Sequence, residues 1–187
     1  MRDHDFTSNE IAALGSPLEL MDTEWAPCRY NCPVHADVRT YIELAARGHF
    51  RESADVVRQH LPFAAVCGRI CHHPCESNCR RQDVDESVAI REVKRFVIEK
   101  TGKDVRVDKP LAADKGNVGI VGAGPAGMSA ALELARWGYT AVVFEKFDVT
   151  GGIPRTAIPS YRVPDEVVAL DTDWIEAHGV QIITGVE

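Results

Sequence analysis

Six cysteines are the residues of this 187-residue sequence whose type and spacing most clearly predict chemistry. They form two groups, C-x3-C-P at residues 28–33 and C-x3-C-x3-C-x3-C at residues 67–79. An iron–sulfur cluster needs about four thiolates that converge from closely spaced cysteines, and a proline directly after a ligand cysteine is common in ferredoxin-type sequences. The candidate metal ligands are therefore Cys28, Cys32, Cys67, Cys71, Cys75 and Cys79.

Other uses of these cysteines stay open at this point. Zinc sites favour C-x2-C pairs with a longer stretch between the pairs, and this spacing is missing, so an iron–sulfur cluster is favoured over zinc and over unliganded thiols. His72 and His73 lie inside the second cysteine group and are alternative ligands. Adjacent histidines are more often solvated or bonded to the backbone.

The second motif is the glycine-rich string G-x-G-x-x-G at residues 122–127. In a dinucleotide-binding loop, Gly122 would permit the tight turn, Gly124 would let a pyrophosphate approach the backbone, and Gly127 would let helix and strand pack closely. The helix N-terminus that follows would attract the phosphates. Glu145, 18 residues after the last glycine, would accept hydrogen bonds from ribose hydroxyls and disfavour a 2′-phosphate.

Two kinds of element have to position these motifs. In the first half, apolar residues at helical spacing predict three helices, at residues 34–46, 50–61 and 88–100. The second cysteine group is expected to form a loop before the third of these helices. In the second half, helices 125–137 and 165–178 alternate with short apolar strands at residues 117–121, 140–145 and 180–184. Strand, helix and strand within roughly thirty residues predict a right-handed βαβ unit.

Composition and charge limit the possible function classes. The sequence is 45% hydrophobic and 26% charged, as in globular proteins. Its net charge of -7 argues against nucleic-acid binding, which usually needs a basic surface. It contains no apolar run long enough for a membrane span and no secretory signal at its N-terminus. We therefore expect a cytoplasmic protein whose cysteines serve as ligands rather than as disulfides.

The asymmetry of the two halves predicts an α + α/β fold class. A helical [4Fe-4S] domain with its linker would occupy residues 1–110, and the first part of a Rossmann-like domain would occupy residues 111–187. The charged stretch at residues 101–110, which contains both Gly and Pro, suits a linker.

Residues 25–187 resemble the glutamate synthase small-subunit family, which also includes the iron–sulfur and flavin part of dihydropyrimidine dehydrogenase. The resemblance rests on the cysteine pattern, the glycine loop and the segment G-G-x5-I-P-x-Y-R-x-P at residues 151–164. It implies that the first dinucleotide fold holds FAD. The implied FAD contacts are Gly122, Gly124, Pro125, Ala126, Gly127, Glu145, Lys146 and Gly152.

The resemblance also implies ligand sets for two [4Fe-4S] clusters. One set would use the positions of Cys28 and Cys79 together with two cysteines further upstream. The other would use the positions of Cys32, Cys71 and Cys75 together with a Gln or Glu on the following helix.

This sequence departs from both sets. No cysteine precedes Cys28, and Lys94 stands where the Gln or Glu is expected, with Glu92 nearby on a different face. One cluster is therefore favoured, with a second possible only if other residues or a partner supply ligands. The predicted ligands of the favoured cluster are Cys32, Cys67, Cys71 and Cys75.

The resemblance implies electron transfer between FAD and an iron–sulfur cluster within an NAD(P)H-dependent oxidoreductase. The alternative is a non-catalytic iron–sulfur and nucleotide-binding docking subunit of a larger redox complex. The sequence stops soon after its third predicted strand and has no second G-x-G-x-x-G/A. We expect the FAD and NAD(P)H module to be completed by its C-terminal half or by other subunits, and electrons to pass to a redox partner protein. No catalytic acid or base is predicted.

Overall fold

A computed structural model describes residues 25–104, 106–107 and 114–186 of the chain. These residues form a helical region followed by a parallel α/β region, which confirms the predicted fold class. The predicted linker and the domain boundary after residue 110 lie partly outside the described residues. No helix of the described residues combines the length and the apolar character required to cross a membrane.

The helical region is built from three longer helices and several short ones. Its elements are α1 (Pro27–Tyr30), α2 (Val38–Ala46), α3 (Phe50–His60), α4 (Ala64–Ile70), α5 (Pro74–Ser77), a 3₁₀ turn (Arg80–Asp83) and α6 (Ile90–Thr101). Tyr41, Ala54 and Val97 are buried where the longer helices meet. Three of the six cysteines lie on the short helices, namely Cys28 on α1, Cys67 on α4 and Cys75 on α5.

Two predictions about this region are wrong in detail. Helix α2 begins four residues later than predicted, because His35 has a left-handed φ of 49° and Asp37 caps the helix by accepting a hydrogen bond from the Thr40 N–H at 3.3 Å. The second cysteine group is not a loop, since α4 and α5 occupy most of it. The C-x3-C spacing places successive cysteines about one helical turn apart, so it is compatible with helix.

The α/β region has three parallel strands in the order β1, β2, β3. Its elements are β1 (Asn117–Val121), α7 (Pro125–Arg136), β2 (Thr140–Phe144), α8 (Ile153–Thr156), α9 (Asp165–Ala177) and β3 (Gln181–Ile183). Each predicted strand and helix is present with bounds that differ by at most one residue at either end. The short helix α8 was not predicted. Met128, Leu132, Val143 and Ile175 are fully buried between the helices and the sheet.

A buried ion pair joins the two regions. Arg58 on α3 and Asp171 on α9 are 1% and 0% exposed, with Arg58 Nη1 at 2.6 Å from Asp171 Oδ1. The same carboxylate accepts hydrogen bonds from the backbone N–H groups of Ala65 at 3.0 Å and Val66 at 2.9 Å. These N–H groups belong to the first turn of α4, where a helix has no internal acceptor for them. Asp171 therefore anchors the helix that carries Cys67.

Candidate iron–sulfur and nucleotide sites

Four of the six cysteines line one cavity of about 320 Å³ in the helical region. Cys67 lies on α4 and Cys71 directly follows that helix, while Cys75 lies on α5. Cys32 reaches the cavity from the segment between α1 and α2. The structure thus brings together the residues that were predicted to hold the favoured cluster.

Local backbone geometry explains how three of these cysteines converge. The Cys71 N–H donates to the Cys67 carbonyl at 3.1 Å, which keeps the two residues one helical turn apart at the end of α4. His73 then adopts a left-handed φ of 46°, and its N–H donates to Cys71 Sγ at 3.3 Å. Pro74 starts α5 after this turn, which returns Cys75 to the same cavity.

The cavity is apolar apart from its thiols and a few charged or polar groups, and Tyr41 and Leu61 form part of its wall. Burial raises the pKa of Cys67 to about 11 and that of Cys75 to about 11. Burial and then the neighbouring cysteines raise the pKa of Tyr41 as well. Metal ligands must be deprotonated, so a cation within the cavity would stabilise these thiols as thiolates.

Lys94 on α6 lines the same cavity and is only 8% exposed. Burial raises the pKa of Cys67, and the ammonium of Lys94 opposes this effect more than any other charge. Four thiolates form a soft donor set of the kind that selects an iron–sulfur cluster or a similar centre. Four thiolates with a buried ammonium beside them fit an anionic [4Fe-4S] centre.

The other two cysteines, Cys28 and Cys79, line a second cavity of about 380 Å³. Val38 and Ile90 line both cavities, which are therefore neighbours. Burial raises the pKa of Cys28. The basic side chains of the second cavity are Arg39, Arg80 and Arg81. Among the described residues, this cavity offers two thiols where an all-cysteine cluster would need four.

The histidines and the glutamate considered as further ligands differ in position. His72 and His73 both line the four-cysteine cavity. His73 Nδ1 lies 3.2 Å from a carboxylate oxygen of Glu76 but forms no hydrogen bond with it. Glu92 instead forms ion pairs with Arg91 at 2.9 Å and with Arg95 at 3.8 Å. Glu92 does not line the cavity.

The glycine loop between β1 and α7 uses its glycines for different purposes. Gly122 has a φ of 97°, and its N–H donates to the Phe144 carbonyl at 2.7 Å. A Cβ on Gly127 would lie 2.1 Å from the Gly122 carbonyl oxygen, so the close contact of helix and loop requires glycine there. A Cβ on Gly124 would meet only Gly152 Cα, at 3.8 Å. The protein itself therefore leaves space beside Gly124.

The second glycine pair packs directly against this loop. The Gly151 N–H donates to the Ala123 carbonyl at 2.9 Å. Gly152 has a φ of 57°, and a Cβ there would lie 2.7 Å from Gly124 Cα. Residues 151 and 152 thus form one surface with the loop, although they follow it by more than twenty residues. Sequence spacing alone gave no sign of this contact.

Glu145 lies just after β2 and fastens the loop to the sheet. Its two carboxylate oxygens accept hydrogen bonds from the N–H groups of Ala123 at 2.7 Å and Phe147 at 3.0 Å. Hydrogen bonds from the N–H groups of Phe147 and Ala123 hold the pKa of Glu145 below its ordinary value. Because each carboxylate oxygen has two lone pairs, Glu145 keeps acceptor capacity for other donors.

These residues border an open groove of about 820 Å³. Gly122, Gly152, Glu145 and Lys146 line one part of it. Pro125 and Ala126 begin helix α7 directly after the loop. Val121 and Ile153 are 92% and 69% exposed at its apolar side. Other groove residues were not predicted from the sequence, namely Phe144, Phe147, Ile153, Thr156 and Val186.

Comparison with protein families gives a separate match for each half of the chain. Residues 21–105 match dihydropyrimidine dehydrogenase domain II, 4Fe-4S cluster. Residues 120–186 match the NAD(P)-binding Rossmann-like domain. The predicted cofactors, a [4Fe-4S] cluster and FAD, are supported by these matches and by the relatives that follow.

Similar proteins share both halves. The beta subunit of the NADP(+)-dependent formate dehydrogenase of Moorella thermoacetica is 41% identical across 84% of this chain and 26% of the relative. The beta subunit of the NADPH-Fe(3+) oxidoreductase of Geobacter sulfurreducens is 40% identical across 87% of this chain and 25% of the relative. The PreT subunit of the NAD-dependent dihydropyrimidine dehydrogenase of Escherichia coli is 35% identical across 84% of this chain and 39% of the relative.

The chain therefore spans well under half the length of these relatives. Both halves occur in the predicted order, an iron–sulfur module followed by a dinucleotide-binding module. By these matches the chain belongs to the glutamate synthase small-subunit-like family of iron–sulfur and flavin NAD(P)H oxidoreductases.

Proposed function

We propose that this chain transfers electrons between FAD and a [4Fe-4S] cluster as part of an NAD(P)H-dependent oxidoreductase. The observation that carries the proposal is the convergence of four cysteines on one cavity in a chain that also forms a dinucleotide loop. The buried pair of Arg58 and Asp171 joins the two regions directly. The cluster domain would comprise residues 1–110 and the partial FAD domain residues 111–187.

The residues of the chain would hold and shield these groups. Cys32, Cys67, Cys71 and Cys75 would be the cluster ligands, and the apolar cavity wall would keep water away from them. The glycines of the loop would let the FAD pyrophosphate approach the backbone, where the start of α7 offers N–H donors. When bound, the cluster and the flavin supply the redox chemistry, which the protein orients and tunes.

The residues predicted to contact FAD all belong to the loop region or its groove. Glu145 would accept hydrogen bonds from the ribose, because its lowered pKa keeps it anionic and its oxygens retain free lone pairs. Lys146 and Gly152 line the same groove. The remaining proposed contacts are Gly122, Gly124, Pro125, Ala126 and Gly127.

The proposal includes further parts of a larger assembly. Two of the relatives are named as beta subunits and a third as a subunit of a dehydrogenase. We expect this chain to work with other subunits, with the rest of the FAD and NAD(P)H module and with a redox partner protein. Cysteines that serve as cluster ligands fit a reducing compartment, and we therefore place the protein in the cytoplasm.

Anaerobic purification of the intact protein tests this function. We expect about four iron and four acid-labile sulfide per chain, bound FAD, and reduction of both groups by NADPH or NADH. Absorbance would follow the flavin, and electron paramagnetic resonance (EPR) would follow the reduced cluster. Stoichiometric zinc without sulfide would contradict the cluster. A protein that holds both groups but passes no electrons to an artificial acceptor would be a docking subunit instead.

A further inference from the structure

Lys94 differs from the other basic residue at the four-cysteine cavity. Arg91 also lines the cavity, but its guanidinium pairs with Glu92 at 2.9 Å and donates to the Cys71 carbonyl at 3.3 Å. Lys94 is 8% exposed, and within the described part of the chain it forms no ion pair with a carboxylate. The charge of Arg91 is balanced by the protein, whereas that of Lys94 is not.

The position of Lys94 makes this imbalance costly. Lys94 follows Ile90 by one helical turn, and the buried face of α6 consists otherwise of Ile90, Val97 and Ile98. An ammonium on a side chain that is mostly removed from water, with no carboxylate partner, carries a free-energy cost. An apolar side chain would be the ordinary choice here. A lysine at this position is explained if the cavity itself holds negative charge.

The thiols are the groups that can supply this charge. Lys94 lines the same cavity as Cys67 and Cys75, and its ammonium acts on both thiols. A cluster held by four thiolates is an anion, and a one-electron reduction adds one more negative charge to it. A fixed cation in a poorly screened apolar cavity therefore stabilises the reduced cluster more than the oxidised cluster.

We propose that Lys94 is a charge partner of the cluster that raises its reduction potential. The inference rests on the proposed function, because it needs a cluster on the four cysteines. In the redox step the flavin loses one electron and the cluster gains it, while Lys94 keeps its proton throughout. Net charge around a cluster is one of the factors that set its potential. Lys94 would thus make the cluster a better acceptor for electrons from the flavin.

The test is the midpoint potential of the cluster in the intact protein with its cofactors, measured by EPR-monitored redox titration. Lys94→Met and Lys94→Leu remove the charge and introduce no group that could bind iron in place of the lysine at this position, whereas Lys94→Arg keeps the charge. We expect both neutral variants to lower the equilibrium constant for reduction about tenfold, a shift of about 59 mV to more negative potential. Lys94→Arg should stay close to the parent protein. Lys100→Met removes an exposed lysine from the same helix and should not shift the potential.

Iron and sulfide content of every variant separates this inference from the proposed function. Absence of a cluster from the parent protein overturns both. Equal iron content with an unchanged potential in the neutral variants overturns the role of Lys94 alone. If the neutral variants lose the cluster and Lys94→Arg keeps it, the charge is needed to hold the anionic centre, which supports the inference. Loss of the cluster in all three variants shows a role in packing and overturns it.

Discussion

The four-cysteine cavity and the glycine loop bind their groups by opposite means. The cavity relies on side chains, because four thiols reach it from short helices and from the segments between them. The loop relies on the absence of side chains, because Gly124 leaves free space and Gly127 permits a close contact. Removing an atom should therefore damage the cavity, and adding an atom should damage the loop.

The immediate surroundings of the two sites differ in what holds them in place, although one core of buried apolar side chains extends across both regions. The α/β region has buried apolar side chains such as Met128, Leu132 and Ile175 beneath the loop. Three of the four cysteines of the cavity instead lie on or next to α4 and α5, which have seven and four residues. Such short helices contribute little stability by themselves, and the free energy of metal binding becomes folding free energy where ligands hold a region together. Loss of a ligand should disorder the cavity and leave the sheet intact.

The largest effect is expected from Cys75→Ser. Cys75 is buried on α5, and its loss leaves three thiols on the cavity. We expect loss of most of the iron and sulfide and a drop in helix content by circular dichroism. Ser77→Ala on the same short helix changes an exposed residue and should keep the parent iron content. A variant that retains the full cluster would show that Cys75 is not a ligand.

A smaller but still large effect is expected from Asp171→Ala, because Asp171 connects the α/β region to the helical region. It removes the carboxylate that neutralises Arg58 and that holds the first turn of α4. Breaking a buried ion pair on one side costs about 3–5 kcal/mol. Chemical denaturation should show this loss in the free energy of unfolding, and iron content should fall although no ligand has changed.

Asp173→Ala on the same helix is the matched control for this loss. Its carboxylate is 45% exposed and lies 2.9 Å from Lys103 Nζ, and a pair of this kind is worth about 0–1 kcal/mol. Equal stability losses for the two aspartates would show that the buried pair does not anchor α4.

Gly124→Ala should act on the ligand and spare the fold. The added Cβ meets the protein only at 3.8 Å, an ordinary contact, but occupies space beside the loop that the pyrophosphate would need. We expect FAD affinity to fall about tenfold or more, a loss of about 1.4 kcal/mol, with an unchanged melting temperature. Fluorescence titration of the intact apoprotein measures this affinity.

Gly127→Ala is the matched comparison for Gly124→Ala, because its added Cβ would lie 2.1 Å from the Gly122 carbonyl oxygen. This variant should lower the melting temperature of the α/β region. Unchanged FAD affinity in Gly124→Ala would show that the phosphates do not pass that residue.

Features that neighbouring residues encode could be predicted from the sequence. Strand β1 was predicted with its exact bounds because a short apolar run and flanking glycines are local signals. The grouping of the cysteines came partly from spacing and partly from family resemblance. Contacts between segments that are distant in the sequence could not be predicted, such as the contact of Gly152 with Gly124 and that of Asp171 with α4. No local pattern encodes such contacts, since they depend on how the elements pack.

The helices within the second cysteine group were missed for a related reason. The segment contains four closely spaced cysteines, two histidines and a proline, a composition that suggests irregular structure. The seven residues of α4 are too few to show a clear helical period of apolar residues. The carboxylate that satisfies the first turn of α4 lies more than a hundred residues away in the sequence. The capping group that favours this helix therefore has no local signature.

The smallest effect is expected from Cys28→Ser, in the second cavity. Cys28 and Cys79 are the two thiols that line it among the described residues, too few for an all-cysteine cluster. If the chain holds one cluster, the serine variant should keep about four iron per chain and the parent EPR signal. It should also keep a melting temperature near that of the parent protein, because serine fills nearly the same volume. Since Val38 and Ile90 separate the two cavities, a change in one should reach the other only weakly.

Iron loss equal to that of Cys75→Ser would place Cys28 among the ligands of the single cluster. About eight iron in the parent protein, falling to about four in Cys28→Ser, would instead show a second cluster whose missing ligands come from other residues or from a partner.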